Sequence, residues 1–320
     1  MRNYFSKLQI CTSIPIVNSA ALTRLIILSS FLLVLLVNGC AQQEPAQSQA
    51  YVHPELLVDV SELEERITTD PDLFLIDARE DEPQAVIPGA VHFSAVREVT
   101  DPDHAIQGYL INPDDFARKM SELGLENNSR VVIYDEGNNL ASARLFYALD
   151  YYGFNNASLL NGGLEAWQAA GKEMSDSISK LPESNFTVEI QEALMCDFDY
   201  VTQASTSDKI VIFDARSAAE FSGEDVRAER GGHIPNAVNI EWNRVIAKDG
   251  IPYFLPAEQI SALLTEQGIT PDKEIIPHCQ SNVRGSHVYF TLRLMGFDSV
   301  RPYEGSWYEY GNRPDAEIIQ

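Results

Sequence analysis

A chain of 320 residues, 45% of them hydrophobic, has apolar material for two ordinary domains and is not disordered along its length. Its formal net charge of -24 repels polyanions and argues against nucleic acid as a partner. In so acidic a chain, a basic pocket would have to draw an anion in against the general field.

The chain opens with the features of an export signal over residues 1–39. Arg2 and Lys7 form a basic leader, and Arg24 precedes the uncharged run Leu25 to Val37. That run is shorter than the roughly 20 residues of a membrane span and suits a signal-peptide core. It ends in Val37-Asn38-Gly39-Cys40, which resembles a bacterial lipoprotein cleavage box. The resemblance implies cleavage before Cys40, acylation of Cys40 with palmitate-like chains, and anchoring to a membrane through that lipid. It places the protein in the bacterial cell envelope, facing the periplasm. Ala41 after the cysteine resembles sorting to the outer membrane rather than retention at the inner one. Residues 40–50 are a polar tether with no apolar period.

From residue 51 onward one unit is written twice. Leu73-Phe74-Leu75-Ile76-Asp77-Ala78-Arg79 matches Ile210-Val211-Ile212-Phe213-Asp214-Ala215-Arg216. Ile87-Pro88-Gly89-Ala90-Val91 matches Ile234-Pro235-Asn236-Ala237-Val238, and Arg130 to Asp135 matches Glu274 to Cys279. Gly153-Phe154 matches Gly296-Phe297, and Gly162-Gly163 matches Gly305-Ser306. The boundaries read from this are a first domain over 51–172, a polar linker over 173–185 and a second domain over 186–320. Helical patterns are predicted over Ser61 to Thr68, Pro113 to Leu123 and Leu140 to Tyr152 in the first copy. In the second they run over Phe198 to Ala204, Pro256 to Gln267 and Gly285 to Met295. Short apolar runs alternate with them. Each copy closes on a short strand and helix, Ala157 to Trp167 and Val300 to Tyr310. This alternation predicts α/β domains, each a mainly parallel sheet with helices on both faces. Ligands of such sheets sit beyond the carboxyl ends of the strands, where Arg216 and Cys279 fall.

The most chemical stretch is His278-Cys279-Gln280-Ser281-Asn282-Val283-Arg284. An apolar strand leads into a lone cysteine, a polar loop closes on an arginine, and a helix follows. Loop N–H groups and the helix N-terminus would converge on Cys279 and favour its thiolate, a nucleophile. At the matching positions the first copy has Asp135 for Cys279 and Leu140 for Arg284, if one offset is kept through the loop. A carboxylate cannot stand in for a thiolate nucleophile, so the first domain reads as inactive. Of the other cysteines, Cys11 falls in the leader and Cys196 reads as a small buried hydrophobe. No cysteine and histidine spacing suggests a metal site.

These motifs, with Gly232-His233-Ile234-Pro235 and Tyr303-Glu304-Gly305-Ser306-Trp307, resemble the tandem rhodanese family, the thiosulfate and 3-mercaptopyruvate sulfurtransferases. The resemblance implies sulfur transfer through a persulfide on Cys279, with no metal or organic cofactor. Its substrates would be a small anionic sulfur donor and a thiol or cyanide acceptor, a protein sulfur acceptor being the alternative. Loop residues Gln280, Ser281, Asn282 and Val283 would stabilise the sulfur anion, while Arg216 and Arg284 would hold the donor's oxygens. For Arg216 the competing partner is Asp214. Arg227 and Arg230 are further candidates for the mouth, with Glu224, Asp225 and Glu229 as competing partners. His278 and Trp307 read as packing residues. The loop lacks the glycines of mercaptopyruvate-type loops, and its extra cation favours an inorganic dianion such as thiosulfate. Two other functions fit the same residues. A phosphatase would need five residues between cysteine and arginine where this loop has four, and a non-enzymatic surface lipoprotein would bind a partner or sense redox state through Cys279.

Overall fold

The computed structural model describes residues 50–320. The expected leader, the expected lipidation site at Cys40 and the tether up to residue 49 lie outside the described residues. Among those described, no helix is long and apolar enough to cross a membrane.

The first sheet holds β1 (Leu57–Val58), β2 (Leu73–Asp77), β3 (Val91–His92), β4 (Arg130–Tyr134) and β5 (Ala157–Leu160). Their order is β1-β5-β4-β2-β3, and every pairing is parallel. The helices are α1 (Val60–Thr69), α2 (Ala95–Val99), α3 (Pro113–Leu123), α4 (Leu140–Tyr151) and α5 (Gly163–Ala169). Strand side chains alternate between two apolar layers. Leu75 and Val132 face α1 and α5, while Phe74, Ile76, Val131 and Ile133 face α2, α3 and α4. Burial on both faces explains why β2 and β4 read as continuous apolar runs. Local chemistry sets the ends of α3: Asn112 caps Asp115 N–H, Pro113 takes the first turn, and Gly124 stops the helix with a left-handed backbone.

The second sheet repeats the plan with β6 (Ile210–Asp214), β7 (Val238–Asn239) and β8 (Glu274–His278), parallel and ordered β7-β6-β8. Its helices are α6 (Phe198–Ala204), α7 (Ala218–Ser222), α8 (Ala257–Glu266), α9 (Val283–Leu294) and α10 (Ser306–Tyr310). The strand expected from Val300 is reduced to two isolated parallel bridges, Ile275 with Val300 and Cys196 with Tyr303. Pro277 lies in β8 where the first copy has Ile133, and it has no N–H with which to extend that ladder to residue 301. The Arg301 carbonyl accepts from the Cys196 thiol at 3.6 Å instead.

Residues 173–185 contain no helix or strand and run along the first domain, pinned by a Val86–Ser175 bridge and by Ser179 N–H on the Ala90 carbonyl. The two copies meet through their equivalent helices α4 and α9. Phe146 packs on Phe290 and Tyr147 on Tyr289, ring centroids 5.0 and 5.2 Å apart. Each residue thus meets the counterpart of its neighbour, as a local two-fold axis requires. Asp150 accepts from Tyr289 and Arg293 at 2.6 Å each. One apolar layer runs through this junction from sheet to sheet. The junction sets the N-termini of α4 and α9, and therefore both strand-to-helix loops, close to each other.

Candidate active site

Cys279 stands at the carboxyl end of β8, 1% exposed. Its carbonyl accepts from Trp307 N–H at 2.9 Å, and the Gln280 carbonyl accepts from Tyr308 N–H at 2.9 Å. The Cys279 N–H donates to Ser306 Oγ at 3.3 Å. The loop is therefore fastened to the N-terminus of α10. Asn282 then takes a left-handed backbone, φ 57°, and α9 begins at Val283. Gly285 is required beneath it, since a Cβ there would lie 2.2 Å from Asn282 Oδ1. First-turn N–H groups of α9 have no acceptor within the helix.

The first copy shows what such a loop holds. Asn139 takes the same left-handed turn, φ 60°, immediately before α4. The Asp135 carboxylate folds back and accepts from Gly137 and Asn139 N–H on one oxygen, and from Ala141 and Ser142 N–H on the other, at 3.0–3.2 Å. Burial pushes this carboxyl up, while the N–H donors pull it toward the ionised form. Pairing Asn139 with Asn282 corrects the matching made with one offset. The first loop is one residue longer, and the counterpart of Arg284 is Ala141 rather than Leu140.

Arg284 closes the second loop. Its two terminal nitrogens donate to Glu220 at 2.7 and 2.9 Å, so the cation expected to meet a donor already carries a bidentate partner. Burial works against its charge, but Glu220 and then Cys279 hold the proton on more strongly. Glu220 in turn resists protonation: burial opposes its charge, yet Arg284 draws it down to about 2. Glu220 is placed by a capping box with Ser217 at the start of α7.

Arg216 sits just past the end of β6, as expected, but its side chain is paired with Asp214, the competing partner. It is 1% exposed, its guanidinium is committed to Asp214 and to the Gly232 carbonyl, and it lies 4.1 Å over the Trp307 ring. A buried guanidinium must be paired, and Asp214 two residues away is the nearest carboxylate. Arg79 does the same in the first copy with Asp77 and the Ala85 carbonyl. Both arginines latch a strand end. Arg216 packs on Trp307, whose backbone N–H holds the Cys279 carbonyl.

The remaining predicted residues frame the mouth. Gln280 donates to the Arg227 carbonyl at 3.0 Å, Ser281 abuts Gly108 of the first domain, and Val283 is half-buried at the head of α9. Arg227 pairs with Asp225 at 2.7 Å, and Arg230 donates to the Arg313 and Ala316 carbonyls. His278 is fully buried, 3.6 Å from Asp214, and burial lowers its pKa to about 4 despite that neighbour. It is neutral at pH 7 and takes the place of Tyr134, which donates to Asp77 at 2.9 Å. Cys196 and Cys279 are both free thiols. Three contributors to the site were missed from sequence: Glu220, Glu304 and Arg144. Only Glu220 had a local signal, the Ser217 to Glu220 capping spacing.

A rhodanese-like domain model matches residues 59–170 and again 197–313. The chain belongs to the rhodanese family. Among its rhodanese relatives is the sulfur carrier protein TtuD of Thermus thermophilus, 33% identical over 84% of this chain and 98% of the relative. A thiosulfate sulfurtransferase of Azotobacter vinelandii is 32% identical over 82% of this chain and 96% of that one. Among solved rhodanese structures, SseA from Escherichia coli, described as a 3-mercaptopyruvate sulfotransferase, superimposes with a TM-score of 0.71. It is 30% identical, over 79% of this chain and 98% of that one.

Proposed function

We propose that this rhodanese is a sulfurtransferase that carries sulfane sulfur as a persulfide on Cys279, taking it from thiosulfate or a related small anion. One observation carries the reading: the same loop, in the copy without a cysteine, wraps four N–H groups around the Asp135 carboxylate. The counterparts of Asn139, Ala141 and Ser142 are Asn282, Arg284 and Gly285. By this correspondence their N–H groups would serve a sulfur anion on Cys279 in the same way. In the first half-reaction the Cys279 thiolate attacks the outer sulfur of thiosulfate. A sulfur–sulfur bond forms on Cys279, the bond to the sulfonate sulfur breaks, and sulfite departs with that electron pair. In the second, cyanide or a thiolate attacks the outer sulfur of the persulfide, and the electron pair returns to Cys279 as thiolate. No external oxidant or reductant enters either step. The first domain, with Asp135 in place of the nucleophile, performs neither.

Relatives named for thiosulfate and for 3-mercaptopyruvate support the class and leave two donors to compare. The relative named as a sulfur carrier supports a second acceptor, a protein thiol. Steady-state kinetics with thiosulfate and cyanide test the proposal. Parallel double-reciprocal lines are expected, with no turnover in Cys279→Ser. Intersecting lines, or turnover surviving that substitution, would remove the persulfide intermediate.

The run Leu25 to Val37 and the Val37-Asn38-Gly39-Cys40 box support export and lipidation on Cys40. Radiolabelled palmitate is expected on the full chain in the membrane fraction and to be lost in Cys40→Ser. Equal labelling of both would reject the anchor.

A further inference from the structure

Arg144 belongs to the domain that lacks the cysteine, yet its side chain ends inside the other domain. It lies in α4, fully buried, opposite an equally buried Glu304. Its Nη2 donates to Glu304 Oε1 and to the Gly108 carbonyl, both at 2.6 Å. Its Nη1 reaches Glu304 Oε2 at 3.3 Å and Ser286 Oγ at 3.4 Å. Glu304 Oε2 accepts from Asn282 Nδ2 at 2.5 Å, and Glu304 Oε1 from Leu110 N–H at 3.1 Å. Asn282 is the left-handed residue that turns the Cys279 loop into α9. Two side chains, Arg144 and Glu304, therefore connect the first domain to the residue that sets the loop's shape.

Gly108 backs the loop from the same side. Its φ is +92°, and a Cβ there would come 2.7 Å from the Ser281 carbonyl oxygen, so first-domain backbone lies directly on loop backbone. The electrostatics run the same way. Burial opposes the Arg144 charge, Glu304 holds it, and the Cys279 thiolate adds a further pull, so the guanidinium stays charged within the field of the nucleophile. An apolar pair would hold two domains together at least as well as a buried ion pair. The aromatic face between α4 and α9 already does so. What the ion pair adds is fixed geometry at Asn282.

We propose that the cysteine-less domain holds the Cys279 loop in its working shape, with Arg144 as a positioning residue that acts through Glu304 and Asn282. The inference rests on the persulfide reading above. Arg144 touches neither donor nor acceptor, so its loss should slow the chemical step and leave donor binding alone.

The test uses the full chain as wild type, Arg144→Met, Arg144→Lys and Asn282→Gly. Glycine keeps the left-handed turn and removes the amide link. For each, kcat and KM for thiosulfate, the rate of Cys279 alkylation by iodoacetamide and the thermal midpoint are measured. Arg144→Met should lower kcat about tenfold or more, with KM within about twofold, and should slow alkylation several-fold. Arg144→Lys should recover part of both, and Asn282→Gly should lower both. A folded Arg144→Met with wild-type kcat and alkylation overturns the inference. If Arg144→Met does not fold, Asn282→Gly with unchanged kcat and alkylation overturns it instead. A wild-type chain that turns over no sulfur donor overturns the proposed function, while its alkylation rates still test the positioning.

Discussion

The loop after β4 and the loop after β8 have the same architecture and opposite contents. Each follows a buried parallel strand, turns on a left-handed asparagine and feeds a helix at the domain junction. In the first, one extra residue lets Asp135 curl inward and occupy the ring of N–H groups with its own carboxylate. In the second, the shorter loop leads from Cys279 to an arginine locked onto Glu220. A permanently filled anion cradle is a structural element. The proposed function makes the same cradle, around Cys279, a site. The difference lies in one side chain, one inserted residue and one cation.

The largest expected effect comes from exchanging those contents. Cys279→Ala should abolish sulfur transfer, a loss on the order of a thousandfold or more, and adding Asp135→Cys should restore none of it. The first loop is longer and has Ala141 where the second has Arg284. Cyanide-dependent thiocyanate release from the double variant measures this, and any recovery would show that the cysteine alone defines the site.

Acid should strain the second domain next. His278 and His287 are fully buried, and burial lowers them to about 4 and about 3 from 6.5. Both folded values are depressed, so the unfolded chain binds protons first, and their contribution is intact above pH 6.5 and lost as pH falls toward 4. Each should cost roughly 3 kcal/mol of stability by pH 4. Neither ring nitrogen of His287 has a hydrogen-bond partner, the Asn138 backbone standing outside bonding geometry, and the ring stacks on Phe254. His287→Phe should therefore flatten the urea midpoint between pH 6.5 and 4. An unchanged slope would mean that His287 is already charged in the fold.

Emptying the filled cradle is the third comparison. Asp135→Ala leaves four N–H groups without their acceptor and should cost about 2–4 kcal/mol in urea unfolding. Sulfur transfer should persist in the folded protein. A neutral effect on stability would show that water replaces the carboxylate without loss.

The smallest effect concerns the donor. Glu220→Gln removes the carboxylate that neutralises Arg284, and KM for thiosulfate should fall about threefold while Cys279 still loads. A rise in KM would show that Glu220 acts by aiming Arg284 rather than by masking it.

Much of this was legible in the sequence because it is local. The repeated Asp-Ala-Arg, the buried apolar runs and the strand–cysteine–loop–helix order follow from short-range chemistry. They set two parallel sheets and the place of Cys279. For Arg216 the sequence left two partners, a donor and Asp214, and the guanidinium is on Asp214. An arginine at a strand end looks the same whether it faces solvent or is buried on Asp214, and only burial decides between them. The loop lengths were misjudged because Asn138 and Asn139 are adjacent and either can take the left-handed turn. The Arg144 to Glu304 pair spans 160 residues, and nothing in either neighbourhood announces the other. The missing final strand depended on Pro277, whose effect appears only once residue 301 is beside it.

The counterpart, in the second domain, of the N–H cradle that Asp135 fills in the first should hold a sulfur anion on Cys279. Intact mass of the folded body after thiosulfate, beside Cys279→Ala, tests it most directly. A gain of about 32 mass units that cyanide removes and the variant lacks is the predicted result. An unchanged mass with thiosulfate and with mercaptopyruvate, on folded protein with Cys279 reduced, would contradict it.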